Sequence, residues 1–303
     1  AELIKAYGKP RDQSKVKAFS EACAKINETT SLEAVCELVA HVTSRADLPA
    51  IRHSAHDLME RLAQQASAGV YPVALFDASY PPLLSSVARP PLVLYIRGGI
   101  DPASLGPNAV SVVGARSATA SGIEITDRIV RFLAESGNEI ISGLALGIDA
   151  AAHESAMSAG VPTVAVLASG LDRVDPPRNA GLADRLLEHG GALVSEHLFG
   201  VPPRPAQFLA RNRIQVGLSV ASVIVEAARR SGSMNQARTA RDSRRALFAV
   251  VPHRGDNPLG LLCDGTREMV SEYGAYALKG RSDYPAMAKL IAQASYALHT
   301  ASI

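Results

Sequence analysis

The rhythm of apolar positions along this chain changes at about residue 107. Before residue 70 apolar side chains recur at helical spacing. The stretch "SLEAVCELVAHV" puts Leu32, Val35, Leu38 and Val39 on one face behind Ser31, a residue type that caps helix N-termini well. A second helix is predicted over "HDLMERLAQQA". From Tyr71 to Gly99 the segments "YPVALFDASYPPLL" and "RPPLVLYIRGG" are extended and punctuated by proline. They predict strands, or a collar joining the helices to the main domain.

From Asn108 onward, strand-like and helix-like stretches alternate. "AVSVVG", "NEIISG", "PTVAVLASG", "ALVSEH", "LSVASVIVEA" and "RALFAVV" are short runs dominated by apolar and β-branched residues. Strands covered by helices on both faces have this composition. Between them lie "IEITDRIVRFLAESG", "IDAAAHESAMSAG", "PPRNAGLADRLLEHGG" and "MNQARTARDS", which read as helices. The expected fold is α/β: an extended Rossmann-like, doubly wound, mostly parallel sheet with a helical N-terminal region. The expected divisions are a helical N-terminal domain at 1–70, an extended collar at 71–106, the Rossmann-like domain at 107–272, and a C-terminal linker and helix at 273–303.

A hydrophobic fraction of 47% over 303 residues is enough to bury such a core. The net charge of +2 conceals an uneven distribution. All seven lysines lie before residue 26 or after residue 278, so arginine is the only permanent cation in between. Nine arginines fall between Arg204 and Arg245, against Glu226 and Asp242 alone. Arginine's planar fork suits phosphate better than lysine's point charge. Cys23, Cys36 and Cys263 are scattered, without a CxxC or metal-ligand spacing, which fits a reduced chain with neither disulfides nor zinc. No apolar run reaches the ~18 residues of a membrane span, and no leader pattern is visible at the N-terminus. A cytoplasmic location with no membrane contact is the expectation.

In an open parallel sheet, ligands settle at the carboxyl ends of the strands, where helix N-termini present free N–H groups. Here those ends carry "GARS" (Gly114, Arg116, Ser117), "SGLALG" (Ser142, Gly143), "ASGLD" and "RRSGS" (Ser231, Gly232). Glycine lets an anion approach the backbone, and serine adds a hydroxyl. The dinucleotide pattern G-x-G-x-x-G, the P-loop and the nucleophile elbow are all absent. Asp149 and His153, four apart, could form an acid–base pair, but Asp149 as a helix cap and His153 bonded to a loop is the simpler account. Glu226 also reads as structural. No catalytic residue, metal or cofactor is expected. Arg116 should project over the ligand edge. Arg211, Asn212 and Arg213 stand directly before a strand-like run, with Phe208 three residues earlier as a candidate for stacking on a nucleobase.

These motifs in this order resemble the DNA-processing protein A (DprA, also called Smf) family. The resemblance runs from residue 71 to about 270 and is most specific in "SGLALGIDAAAH" and "FLARNR". It implies a non-enzymatic, dimeric protein with an extended Rossmann fold that binds single-stranded DNA and helps load the RecA recombinase during natural transformation. It also implies that Arg116, Phe208, Arg211 and Arg213 lie in the DNA pocket. The alternative is a nucleotide-binding or nucleotide-sensing relative of the phosphoribohydrolases. Those enzymes need P-G-G-x-G-T-x-x-E where this chain has "EAARRSGSMNQAR".

Overall fold

The computed structural model describes residues 48–75 and 77–300. The helix expected over "SLEAVCELVAHV" lies outside them. The chain divides into two compact units between Ala68 and Gly69. In the first unit, helix α1 (Leu48–Ser67) contains the "HDLMERLAQQA" stretch.

The second unit is built on one nine-stranded sheet. In chain order its elements are β1 (Val70–Ala74), α2 (Pro82–Ser85), β2 (Val93–Gly98), β3 (Ala109–Val113), α3 (Ala120–Glu135), β4 (Glu139–Ser142), α4 (Ile148–Ser158) and β5 (Thr163–Val166). Then come α5 (Ala180–Glu188), β6 (Ala192–Ser195), α6 (Pro205–Gly217), β7 (Ala221–Ile224), α7 (Gly232–Asp242), β8 (Ala246–Val250), α8 (Asp264–Glu272), β9 (Tyr276–Leu278) and α9 (Tyr284–Thr300). The spatial order is β1-β2-β6-β5-β4-β3-β7-β8-β9. The seven strands β3 to β9 run parallel, while β1 and β2 pair antiparallel with each other and β2 with β6. From β3 the chain winds outward to β6, then returns to place β7 on the other side of β3. That reversal is the topological switch point, where such sheets open a crevice.

Strand periodicity distributes the core to two faces. Val110 and Val112 of β3, Val223 of β7 and Phe248 and Val250 of β8 join one cluster with Ile129 and Leu133 of α3. Their neighbours Val113, Ile224, Leu247 and Ala249 join another with Met234 and Ala237 of α7. Successive side chains in a strand point to opposite faces, so each strand needs apolar residues in unbroken series. Toward β1 and β2 a third cluster gathers Leu94, Ile96, Val164 and Val194 with Ile214 of α6.

One expectation is corrected here. Arg211, Asn212 and Arg213 do not sit in a turn leading into a strand; they lie inside helix α6, which continues to Gly217 before β7 begins at Ala221. Arg245 is also not a surface cation. It is buried, with Nη2 donating to Leu83 O at 2.9 Å and to Ser86 Oγ at 3.2 Å, and burial pushes its pKa down to about 10. It fastens the α2 turn to the start of β8.

Phe248 is the largest fully buried side chain of the central sheet. Phe248→Ala is expected to lower unfolding free energy by about 3–5 kcal/mol, read as a shifted midpoint in urea without a change of slope.

Candidate nucleic-acid interface

At the carboxyl ends of β3, β4, β5 and β7, three turns and one helix face converge. The β3–α3 turn carries Gly114, Arg116 and Ser117. A methyl group on Gly114 would fall 2.7 Å from Ile148 Cγ1, so only glycine lets the turn lie this close to α4. The β4–α4 turn leans on it: Ile148 N donates to Ala115 O at 3.2 Å. Asn179 Nδ2 donates to Leu144 O at 2.8 Å and secures that turn from the other side. Arg116 and Ser117 are exposed. Ser142 is buried and spends its hydroxyl on Val112 O, at 2.7 Å.

Helix α6 lies across these turns. Phe208, Arg211, Asn212 and Gln215 stand at i, i+3, i+4 and i+7 and so share one face. Phe208 is half-buried, and the Arg116 guanidinium carbon lies 5.1 Å from the centre of its ring. That is within cation–π range. The pair is formed by residues 92 positions apart in the chain (208 − 116). Asn212 Nδ2 donates to Gly232 O at 3.3 Å and to Asn235 Oδ1 at 3.1 Å, drawing the N-terminus of α7 to the same place. Ser231 and Gly232 form that N-terminus. Ser231 Oγ makes no hydrogen bond, and nothing lies within 4 Å of where a Gly232 side chain would be.

Arg211 and Arg213 have different surroundings. Arg211 is only 6% exposed and donates from Nη1 to Val166 O at 3.0 Å. Its guanidinium rests on Gly143, where a Cβ would collide with it. Burial disfavours its charge, while Asp149, also buried, favours it. The Asp149 carboxylate in turn accepts from Gly143 N at 3.1 Å, and burial raises its pKa against the pull of Arg211. Arg213 faces away. Its Nη1 and Nη2 grip Glu196 at 2.8 and 2.6 Å, and Nε donates to Arg89 O at 2.8 Å. Thus Gly114, Arg116, Ser117, Ser142, Gly143, Phe208, Arg211, Asn212, Ser231 and Gly232 come together at one edge, and Arg213 does not join them. Of the nine arginines between 204 and 245, Arg211, Arg213 and Arg245 are held by internal bonds. Arg229 pairs with Glu268 at 3.6 Å and Arg241 with Asp242 at 3.0 Å, Arg238 donates to the Tyr273 hydroxyl at 3.1 Å, and Arg238 and Arg241 both stand over the Tyr273 ring, at 5.9 and 5.2 Å.

The switch point itself is occupied by the protein's own carboxylate. Glu226 is fully buried just past β7 and accepts from Thr119 N and Thr119 Oγ1, both at 2.9 Å, and from Leu262 N at 2.9 Å. It therefore fills the N-terminus of α3, where Rossmann-like proteins place a ligand phosphate. Gly122, in the first turn of that helix, leaves the space: a Cβ there would meet the carboxylate. Glycine in the first helical turn was the one local signal for this. The sequence offered none for the Arg211–Asp149 pairing, whose members are far apart in the chain.

His153 is fully buried beneath this edge. Its Nδ1 donates to Thr163 Oγ1 at 2.7 Å, because that hydroxyl gives its own hydrogen to Ile140 O at 2.9 Å. Burial, with Arg211 nearby, lowers its pKa to about 3. A neutral imidazole with this bond and no exposure has no path to a substrate, so the acid–base alternative with Asp149 is unsupported by the geometry. Among the described residues no group of three or more His, Cys, Asp or Glu is placed to hold a metal, and no helix is long and apolar enough to cross a membrane.

Fold and site together define a Rossmann-like protein whose phosphate seat is stoppered by Glu226 and whose ligand edge offers an arginine–aromatic pair instead. The chain belongs to the DNA recombination-mediator protein A family, whose model matches residues 72–290. It is 37% identical over 203 residues to protein Smf of Synechocystis sp., covering 65% of this chain and 50% of that protein. It is 33% identical over 215 residues to DNA processing protein DprA of Bacillus subtilis, covering 69% of this chain and 71% of that one. The chain thus spans about half the length of the Synechocystis relative. Among solved structures, DprA of Streptococcus pneumoniae superposes with a TM-score of 0.71 at 27% identity, covering 94% of this chain and 95% of the other. DprA of Helicobacter pylori gives 0.63 at 27% identity over 74% of this chain and 96% of the other, and that structure concerns its single-stranded DNA binding mode.

Two outcomes follow for stability. Arg211→Ala strands a buried carboxylate and is expected to cost about 3–5 kcal/mol in denaturant unfolding, so lost binding in this variant would report folding. His153 titrates lower in the folded state than unfolded, so its contribution is complete above about pH 6.5 and is lost as pH falls toward 3, by up to about 1.4 kcal/mol per pH unit. Asp149, its pKa raised, acts in the opposite sense. The comparison that isolates the imidazole is wild type against His153→Asn, whose stability should fall less steeply between about pH 6.5 and 5.

Proposed function

We propose that this chain binds single-stranded DNA along the Arg116–Phe208 edge and serves as a recombination mediator rather than as an enzyme. The observation that carries the reading is the exposed guanidinium held over an aromatic face at 5.1 Å, on the carboxyl edge of the parallel sheet. Such a pair can release the cation to a phosphate and offer the ring to a base. Stacking of a base on an aromatic ring contributes roughly 1–3 kcal/mol. Around it, the free N-terminus of α7 at Ser231 and Gly232 supplies N–H groups for phosphates, with the Ser117 hydroxyl beside them, while the N–H groups of Gly114 and Gly143 are turned inward to Asp149 and hold the turns in place. Ser142, Arg211 and Asn212 hold this surface in shape from within, and Arg213 anchors α6 to Glu196. Family membership and the strand-binding Helicobacter pylori relative support the same reading.

In this account the protein acts as a homodimer in the cytoplasm, without a cofactor. It shields incoming strands and hands them to a RecA-type recombinase during natural transformation. The alternative, nucleotide sensing of the phosphoribohydrolase kind, calls for P-G-G-x-G-T-x-x-E at the β7–α7 turn, where this chain has Ala227–Gln236 without that pattern.

The test is fluorescence anisotropy with a labelled single strand of about 20 nucleotides and the matching duplex at two salt concentrations. The single strand is expected to bind more tightly, with affinity falling steeply as salt rises. Arg116→Ala should flatten the logarithmic salt slope by about 0.7, while Phe208→Ala should weaken binding by roughly 1–3 kcal/mol with the slope retained. No single-strand binding at low salt would overturn the proposal.

A further inference from the structure

Glu226 is 0% exposed, and among the described residues its carboxylate forms no ion pair. A buried charge without a counter-ion is costly unless hydrogen-bond donors surround it. Three donors do so here: Thr119 N, Thr119 Oγ1 and Leu262 N, each at 2.9 Å. Thr119 is the N-cap of α3, where unpaired N–H groups and the helix dipole favour an anion. Backbone N–H groups and a hydroxyl at a helix N-terminus, with no cation among them, are how a protein holds an inorganic oxyanion. Glu226 has the surroundings of a bound anion, tethered to the chain.

The donors are held in place by bonds that do not involve Glu226. Thr119 Oγ1 accepts from Gly122 N at 2.9 Å, as a capping residue does. Ala227 N donates to Leu262 O and Gly265 N to Ala227 O, both at 2.8 Å, which fastens the Leu262 loop to the end of β7. A Cβ on Gly122 would collide with Glu226 Oε2, so glycine keeps the space open. Ile123 and Leu262 are each 38% exposed and Thr119 is half-buried, so solvent lies close by. Truncation of Glu226 at Cβ vacates nearly the volume of a phosphate ion and leaves the three donors where they are.

We propose that Glu226 is a specificity-determining residue, a built-in anion that bars phosphate from the seat at the first βα turn used by Rossmann-like proteins. It deepens the strand-binding reading, on which its part in selectivity rests. With that seat denied to free phosphate, the exposed Arg116–Phe208 pair is the anion-binding feature left on this turn. Without Glu226, the α3 N-terminus takes one phosphate-sized oxyanion.

Calorimetric titration of the full chain with inorganic phosphate, at ionic strength matched with chloride, tests it. Glu226→Ala is expected to bind phosphate at least about tenfold more tightly than the wild type. Its thermal midpoint, lower than that of the wild type in chloride, should rise by about 2–4 °C in phosphate. Acetate should raise it as well, because it returns a carboxylate to the same donors. Glu226→Gln keeps the space filled and should gain no phosphate affinity. In Gly122→Ala/Glu226→Ala the added Cβ intrudes on the seat and the gained affinity should be lost. The inference is overturned if the folded Glu226→Ala variant binds phosphate no better than the wild type, which is the result a mere helix cap would give. It is also overturned if Glu226→Gln binds phosphate as Glu226→Ala does, or if the Gly122→Ala change leaves the affinity unaltered. Should Glu226→Ala not fold in chloride, phosphate or acetate is expected to restore the fold, and recovery in neither overturns the inference too. These titrations contain no DNA, so their failure is distinguishable from failure of the strand-binding test.

Discussion

A guanidinium group withdrawn from water must be met by a negative charge and by carbonyl oxygens, and Arg211 imposes that demand at the centre of the ligand edge. Asp149 supplies the charge, Val166 supplies the carbonyl, and Gly143 leaves the space. Gly143 and Asp149 belong to the β4–α4 unit, Val166 ends β5, and Arg211 itself stands on α6. Meeting the demand therefore fixes the relative positions of β4, β5, α4 and α6, and with them the turn on which Arg116 stands. Arg116 can remain exposed and mobile in charge because its neighbour is not. The edge has one buried arginine that sets the geometry and one exposed arginine that is free to meet a ligand.

How far the fold could be read from sequence depended on how local each signal was. The strands β3 to β8 were legible because each is short and mostly apolar on both faces, and β3, β4 and β5 run into turns that contain glycine. Helix α6 was not. From Ile214 onward its residues are buried as continuously as those of β7, and the intervening Leu218–Val220 is buried too. A helix covered on several sides loses the 3.6-residue alternation that marks it, so its second half merged with the following strand. The three-residue edge strand β9 is too brief to show any period.

The site was legible in its residue types but less so in their roles. Glycines and serines at strand ends marked a candidate edge, and Arg116 and Phe208, singled out separately in the sequence, meet there. Counting arginines overstated the free charge, because a sequence does not show which cations are answered by carboxylates and carbonyls elsewhere in the fold. Arg213 meets Glu196, and Arg245 meets the carbonyl of Leu83 across 162 residues. Composition measures how much charge a chain has; only the fold determines how much of it is left over.

The Glu226 carboxylate has a further consequence. Most sheets of this architecture present an empty socket at the switch point, into which a small ligand inserts one end. Here the socket carries its own plug, made from the chain, bonded to Thr119 and Leu262 and shaped around Gly122. That socket is closed to any other ligand, and what the chain offers over it is a surface. A surface that accepts cargo only from above sets no limit on the cargo's length, and it lets a long, flexible guest be taken up at any point along its course rather than only at an end.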